Sequence, residues 1–165
     1  PILLWDIKRF FPEEYEVGVN ALKMVQKRVG MELSTDEAGF IALHLVNAEM
    51  EEEVGNIYEL TKLMQEITNI VKYYFKVSFD EDSVYFYRFS THLKFFCYRL
   101  LHQREVVEND DEELYAVIKK KYLNAYRCVE KISLYLNENY DYQVSNEERL
   151  YLTIHIARIV QTTEQ

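Results

Sequence analysis

The chain has 165 residues, of which 48% are hydrophobic, and its 28 acidic side chains outnumber 19 Lys and Arg to give a formal net charge of −9. This length supports one sizeable domain or two small ones, but the acidic balance and the lack of a Lys/Arg run argue against direct binding of DNA or RNA. Two cysteines make no disulfide framework, no apolar run approaches the ~20 residues of a membrane span, and no signal peptide opens the chain, so we expect a cytoplasmic protein without membrane insertion.

The composition favours a helical chain. Only four glycines and two prolines occur, and because both residues break helices, their scarcity favours long helices over a β fold. The first predicted helix covers Pro12–Val29, where proline and two glutamates suit the first turn and Gly30 follows the end. Ser34 and Glu37 have the spacing of a capping box, which predicts a second helix to about Met50.

An acidic segment then interrupts the helical pattern. Residues 51–56 read EEEVGN, with a glycine and no apolar period, which indicates a linker. From Ile57 to Tyr74 apolar residues recur every three or four positions. Such a narrow stripe suits packing either inside a core or against a partner helix, and both interpretations are kept.

Three more helices are predicted in the remainder of the chain. One begins after the acidic break at residues 80–83 and runs to about Gln103, and a long one spans residues 111–136. Residues 137–144 are polar and turn-like, and a second capping box, Ser145 with Glu148, opens a last helix to about Val160. The expected fold class is all-α, built as helical bundles.

An internal repeat divides the chain. Residues 34–46 read STDEAGFIALHLV and residues 145–157 read SNEERLYLTIHIA, so that His44 and His155 coincide at an offset of 155 − 44 = 111 positions. A repeat of this length indicates duplicated domains rather than a solenoid. We therefore predict the C-terminal half of a first module over residues 1–53 and a complete second module over residues 54–165, cut from a longer protein.

The predicted second module contains one more histidine in a distinctive setting. His92 lies in RFSTHLKFFCYRLL, with Arg88 four residues before it and Arg99 seven residues after it. Both spacings place the arginines on the histidine's helix face, where they are predicted to neutralise a phosphoryl group; the alternative is that they pair with nearby acidic residues. His102, ten residues beyond His92, is rotated away from that face and is expected at the surface or at a helix end.

These features resemble the PTS regulation domains of bacterial transcriptional antiterminators that govern sugar-utilisation operons. The resemblance rests on the EAGFIALHL-type helix, the HLKFFCYR segment and the tandem spacing of the histidines. It implies helical modules that pair with their twins in a homodimer, and it implies phosphorylation of His92, His155 and His44 by the sugar phosphotransferase system. The implied partners are the phosphocarrier protein HPr and the sugar permease, with RNA bound only through an N-terminal domain outside this chain.

Other interpretations were weighed against this one. A lone histidine among Leu, Ile and Val is more often a core residue, and Glu37 and Glu148 lie about 10 Å, or two helical turns, from the histidines that follow them, so they are interpreted as capping residues. No His pair at i, i+4 and no HExxH motif occurs, so no metal site is expected. No phosphate loop or nucleophile motif occurs either, so neither a cofactor nor enzymatic activity is expected.

Two other functional classes remain open at this point. A DNA-binding transcriptional activator uses similar domains, and only the region upstream of the chain would distinguish it. A histidine phosphotransfer domain is the other class, but such domains centre on one histidine, whereas this chain has three in a duplicated frame.

Overall fold

A computed structural model describes residues 4–50, 54–102 and 111–163 of the chain. These residues form α-helices joined by short turns, and they contain no strand, which confirms the all-α fold class. The helices are α1 (Leu4–Phe10), α2 (Pro12–Val29), α3 (Asp36–Met50), α4 (Val54–Phe75), α5 (Val84–Leu101), α6 (Glu112–Lys121), α7 (Leu123–Tyr140) and α8 (Asn146–Thr163). Within the described ranges, none of these helices combines the length and the apolar character that a membrane span requires.

The chain divides into two compact units, residues 1–63 and 64–165. The division falls inside α4, which runs through it without a break. The boundary between modules predicted after residue 53 therefore stays a prediction. Residues 51–53 of the predicted linker lie outside the described residues, whereas residues 54–56 form the first turn of α4 and are not a loop. A single glycine lowers the stability of a helix by only about 1 kcal/mol relative to alanine. Burial of the apolar stripe that follows it on α4 offsets this cost.

The first unit is built on the pair α2 and α3, with α1 packed against both. Gly18 of α2 is buried in close contact with α3, since a Cβ added there would overlap the backbone carbonyl of Ala38. Helix α1 was not predicted from the sequence. It has only seven residues, and burial of its apolar side chains, including Ile7 and Phe10, holds it in place rather than any strong local signal.

The second unit is centred on α8, which packs against α5, α6 and α7. Its core consists of large apolar side chains with at most 2% of their surface exposed, among them Phe86, Leu93, Phe96, Ile132, Leu136 and Ile156. The stripe on α4 is likewise buried at Met64, Ile67 and Val71. Glu66 ties α4 to α7, since its Oε2 accepts hydrogen bonds from the hydroxyls of Tyr135 (2.6 Å) and Tyr140 (3.0 Å).

The prediction of one helix over residues 111–136 is wrong. Two helices, α6 and α7, meet at Tyr122, whose φ of −121° and ψ of 52° are not helical. No glycine or proline marks this corner in the sequence. The bend lets α6 reach α8, and a hydrogen bond of 2.8 Å from the Tyr115 hydroxyl to the Tyr126 hydroxyl joins the two helices beside it.

The two predicted capping boxes differ in outcome. At α8 the box is complete, because the Glu148 amide donates to Ser145 Oγ and the Ser145 amide donates to Glu148 Oε1, each at 3.1 Å. At α3, Ser34 Oγ instead accepts from the amide of Asp36 at 3.2 Å, and the Glu37 amide donates to the Ser34 carbonyl at 3.0 Å. The helix still begins where the motif predicted it, but through a tighter turn.

Candidate functional site

Helices α5 and α8 bring two of the predicted histidines together. The N-terminus of α5 is capped by Ser83, whose Oγ accepts a hydrogen bond of 3.1 Å from the Phe86 amide. Burial of the apolar faces of the two helices sets their rotation and leaves His92 and His155 half-buried at the edge of their contact. The imidazole rings are stacked, with centroids 3.8 Å apart and planes inclined by 23°.

Tyr151 completes this arrangement. It lies one helical turn before His155 on α8, and its hydroxyl is hydrogen-bonded to Nδ1 of His92. Its ring meets both imidazoles edge-on, with centroid distances of 5.3 Å to His92 and 4.5 Å to His155. The sequence analysis missed Tyr151, although its position four residues before a candidate histidine was a usable signal.

The stacked histidines line a cleft of about 270 Å³. Arg88 of α5 and Arg158 of α8 are exposed and line the same cleft. Arg88 was predicted for this role, whereas Arg158 was missed, although it follows His155 by three residues and therefore shares its helix face. The cleft thus combines two imidazoles with two guanidinium groups.

Arg99 lies elsewhere. It does not line the cleft, and its guanidinium carbon is 6.0 Å from the centroid of the Tyr151 ring. Its Nε is buried and has no hydrogen-bond partner among the described residues. A spacing of seven residues keeps Arg99 on the helix face of His92 but displaces it by two turns, about 10 Å, so it lies beside Tyr151 and does not line the cleft.

Both histidines of the pair are uncharged near neutral pH. The pKa of His155 is lowered to about 4, chiefly by burial, then by its neighbour His92 and by Arg158. The pKa of His92 is also lowered, by burial and by Arg158. A neutral imidazole keeps a lone pair on one ring nitrogen, so each ring is a competent nucleophile at pH 7. The arginines beside them favour an anionic reaction partner.

The other two histidines, His44 and His102, do not line the cleft. His44 is exposed on α3 in the first unit. His102 is the C-cap of α5, where it is exposed, stacks on Tyr98 at 4.0 Å and is hydrogen-bonded through Nδ1 to the Tyr98 carbonyl at 2.8 Å. This position agrees with the predicted surface or helix-end role of His102. Among the described residues, no group of three or more His, Cys, Asp or Glu is placed to hold a metal ion.

The chain is similar to one known domain family and to several curated proteins. The PRD domain profile matches residues 2–48 and 65–159. The chain is 50% identical over 158 residues to the transcription antiterminator LicT of Bacillus subtilis (strain 168), covering 96% of this chain and 57% of that protein. It is 45% identical over 157 residues to the beta-glucoside operon antiterminator of Dickeya chrysanthemi, covering 95% and 55% of the two chains. The PtsGHI operon antiterminator of Bacillus subtilis (strain 168) is 26% identical over 156 residues, covering 94% and 55%. The chain therefore spans about half the length of these curated relatives.

Proposed function

The chain belongs to the PRD domain family, and from that premise we propose that it is the regulatory part of a transcription antiterminator of a sugar-utilisation operon. Its similarity to three antiterminators supports this function over that of a DNA-binding activator. The chain is proposed to act in the cytoplasm as a regulator and not as an enzyme. RNA would be bound by an N-terminal domain outside the chain, which agrees with the net charge of −9.

The observation that carries the proposal is the histidine pair in its arginine-lined cleft. His92 and His155 present neutral imidazoles whose ring centroids are 3.8 Å apart, and Arg88 and Arg158 line the same cleft. A phosphoryl group on a side chain adds about −1.5 to −2 charges at pH 7, and guanidinium groups bind such oxygens by charge-assisted hydrogen bonds. HPr is the proposed phosphoryl donor to this pair, and the sugar permease is proposed to govern the exposed His44.

Phosphorylation of the pair also supplies a mechanism of regulation. A phosphoryl group on either ring of this stacked pair places about −1.5 to −2 charges at the edge of the contact between α5 and α8, so its arrival alters that contact. In a homodimer of these modules, such a local change of charge and packing shifts the balance between two arrangements of the subunits. The RNA-binding domains upstream would then be held together or released.

The proposal is tested by phosphoryl transfer to purified protein. The chain is incubated with enzyme I, HPr and labelled phosphoenolpyruvate, and the product is kept at neutral or alkaline pH because phosphohistidine is acid-labile. We expect the unaltered chain to take label, His92→Ala and His155→Ala each to lose part of it, and the double variant to lose label from the second unit. His102→Ala, which removes an exposed helix-end histidine, is the matched control. Full labelling of the double variant would contradict the site assignment, and no labelling of the unaltered chain would contradict the proposed function.

A further inference from the structure

The two ring nitrogens of His92 are not equivalent. Nδ1 is hydrogen-bonded to the hydroxyl of Tyr151, whereas Nε2 has no hydrogen-bond partner among the described residues. The phenol ring of Tyr151 also stands edge-on against the imidazole, at a centroid distance of 5.3 Å. Among the described residues, one nitrogen of the candidate acceptor is therefore engaged in a hydrogen bond and the other is not.

We propose that Tyr151 is a positioning residue that closes Nδ1 of His92 and directs the incoming phosphoryl group to Nε2. This inference rests on the proposed phosphorylation of His92 and specifies its chemistry. A hydroxyl suits the task because it both donates and accepts hydrogen bonds, so it serves either tautomer of the neutral ring.

The transfer step balances with the proton retained on Nδ1. The Nε2 lone pair attacks the phosphorus of the donor phosphohistidine, and as the new N–P bond forms, the donor's N–P bond breaks and its electron pair returns to the donor imidazole. Attack through Nε2 requires the tautomer with hydrogen on Nδ1, and after transfer the His92 ring carries the positive charge that the donor ring has lost. The Nδ1–H then donates a charge-assisted hydrogen bond to the Tyr151 oxygen, which is stronger than a bond between neutral groups.

Arg99 and the backbone of α8 fix the position of Tyr151. The Arg99 guanidinium lies 6.0 Å from the centroid of its ring, and α8 fixes its backbone one turn from His155. Burial raises the pKa of Tyr151, against a smaller opposing effect of Arg99, so the group next to His92 is the hydroxyl and not the phenolate. This assigns Arg99 a supporting contact with the tyrosine in place of the direct contact with phosphate predicted from its spacing.

The internal repeat provides a natural comparison. At the offset of 111 positions, Phe40 of α3 stands where Tyr151 stands in α8, four residues before His44. Phenylalanine has the ring but lacks the hydroxyl, so no equivalent hydrogen bond can form there. The substitution Tyr151→Phe gives the second repeat the residue that the first already carries.

The inference is tested on the full chain labelled with ¹⁵N in its histidine rings. After phosphorylation by enzyme I, HPr and phosphoenolpyruvate, long-range ¹H–¹⁵N spectra and ³¹P couplings identify the nitrogen that carries phosphate, with signals assigned by His92→Ala. We expect Nε2 in the unaltered chain. In Tyr151→Phe we expect an Nδ1 isomer to appear and the equilibrium yield at His92 to fall about ten-fold, the effect of losing one hydrogen bond to a charged group. Tyr73→Phe, at a tyrosine that is 80% exposed on α4, should match the unaltered chain.

The outcomes separate the positioning role from the proposed function. Phosphate on Nδ1 of His92 in the unaltered chain, or pure Nε2 phosphate at unchanged yield in Tyr151→Phe, overturns the role of Tyr151. Failure of every variant to accept phosphate overturns the proposed function instead. The contact is then tested in the unphosphorylated chain, where Tyr151→Phe should change the Nδ1 chemical shift of His92, and an unchanged shift overturns the inference.

Discussion

The imidazole of His155 is buried against His92 in a place that disfavours its charged form. Its pKa falls from the ordinary 6.5 to about 4, with burial as the main cause and His92 and Arg158 as further ones. A histidine whose pKa is lower in the folded than in the unfolded chain takes up its proton preferentially on unfolding. Stability is therefore highest above about pH 6.5, is lost as the pH falls towards 4, and changes no further from this source below that.

This linkage predicts how one substitution alters the pH dependence of stability. The free energy of unfolding, measured by chemical denaturation between pH 7 and pH 4.5, should decrease less steeply in His155→Gln than in the unaltered chain, because glutamine does not titrate. His44→Gln is the matched control, since His44 occupies the same repeat position but is exposed. Equal slopes for His155→Gln and the unaltered chain would show that burial of the pair does not oppose its protonation.

Residues that act across two helices were the ones hardest to predict from sequence. The spacing of the histidines, the repeat and the position of Arg88 predicted one wall of the cleft. Tyr151 contacts His92 through a hydrogen bond between α5 and α8, and periodicity within one helix does not report which residues of another helix lie opposite. Arg99 was placed with Arg88 because the two share a helix face with His92, but sharing a face does not fix the distance along the axis, and Arg99 does not line the cleft.

At the scale of the helices, local signals predicted starts and stops where the backbone itself decides them. Gly30 ends α2 with a φ of 70° and donates its amide hydrogen to the Gln26 carbonyl at 2.9 Å, and Ser145 begins α8 through the capping box. The corner at Tyr122 and the short helix α1 escaped prediction because tertiary packing determines both. Neither the corner nor α1 contains a glycine, a proline or a capping motif from which it could be predicted.

The contact between α2 and α3 leads to a prediction about Gly18. An alanine in an exposed helix interior stabilises by about 1 kcal/mol relative to glycine, but here the added methyl overlaps the Ala38 carbonyl, which cannot move without shifting α3. We expect Gly18→Ala to lower the free energy of unfolding by about 1–3 kcal/mol, the range for overpacked cores. Chemical denaturation measures it, with Asn20→Ala on the exposed face of α2 as control. A more stable Gly18→Ala would show that the helices are not in close contact there.

At the scale of the whole molecule, the first unit leaves much apolar surface uncovered. Val17, Met24, Val29 and Met31 are each more than half exposed, and they lie on α2 or just beyond its end. Exposed large apolar side chains that cluster on one element are typical of an interaction site. A symmetric homodimer, in which each patch meets its copy, would cover it.

Association can be measured directly. We expect sedimentation velocity at tens of micromolar to show a dimer of the unaltered chain, and Met24→Glu to shift the population towards monomer because it places a charge in the apolar patch. Glu16→Gln, at an exposed polar position of α2, should leave the distribution unchanged. A monomer at these concentrations, with or without phosphorylation, would contradict the homodimer.

The most direct test of the central claim is to locate the phosphate after transfer from HPr. The full chain is phosphorylated, digested at neutral to alkaline pH, and its peptides are sequenced by mass spectrometry under conditions that preserve phosphohistidine. The cleft between α5 and α8 predicts phosphate on the peptides that contain His92 and His155, and none on His102. Phosphate confined to His44 or His102, with the stacked pair unmodified, would contradict the claim that this cleft receives the phosphoryl group.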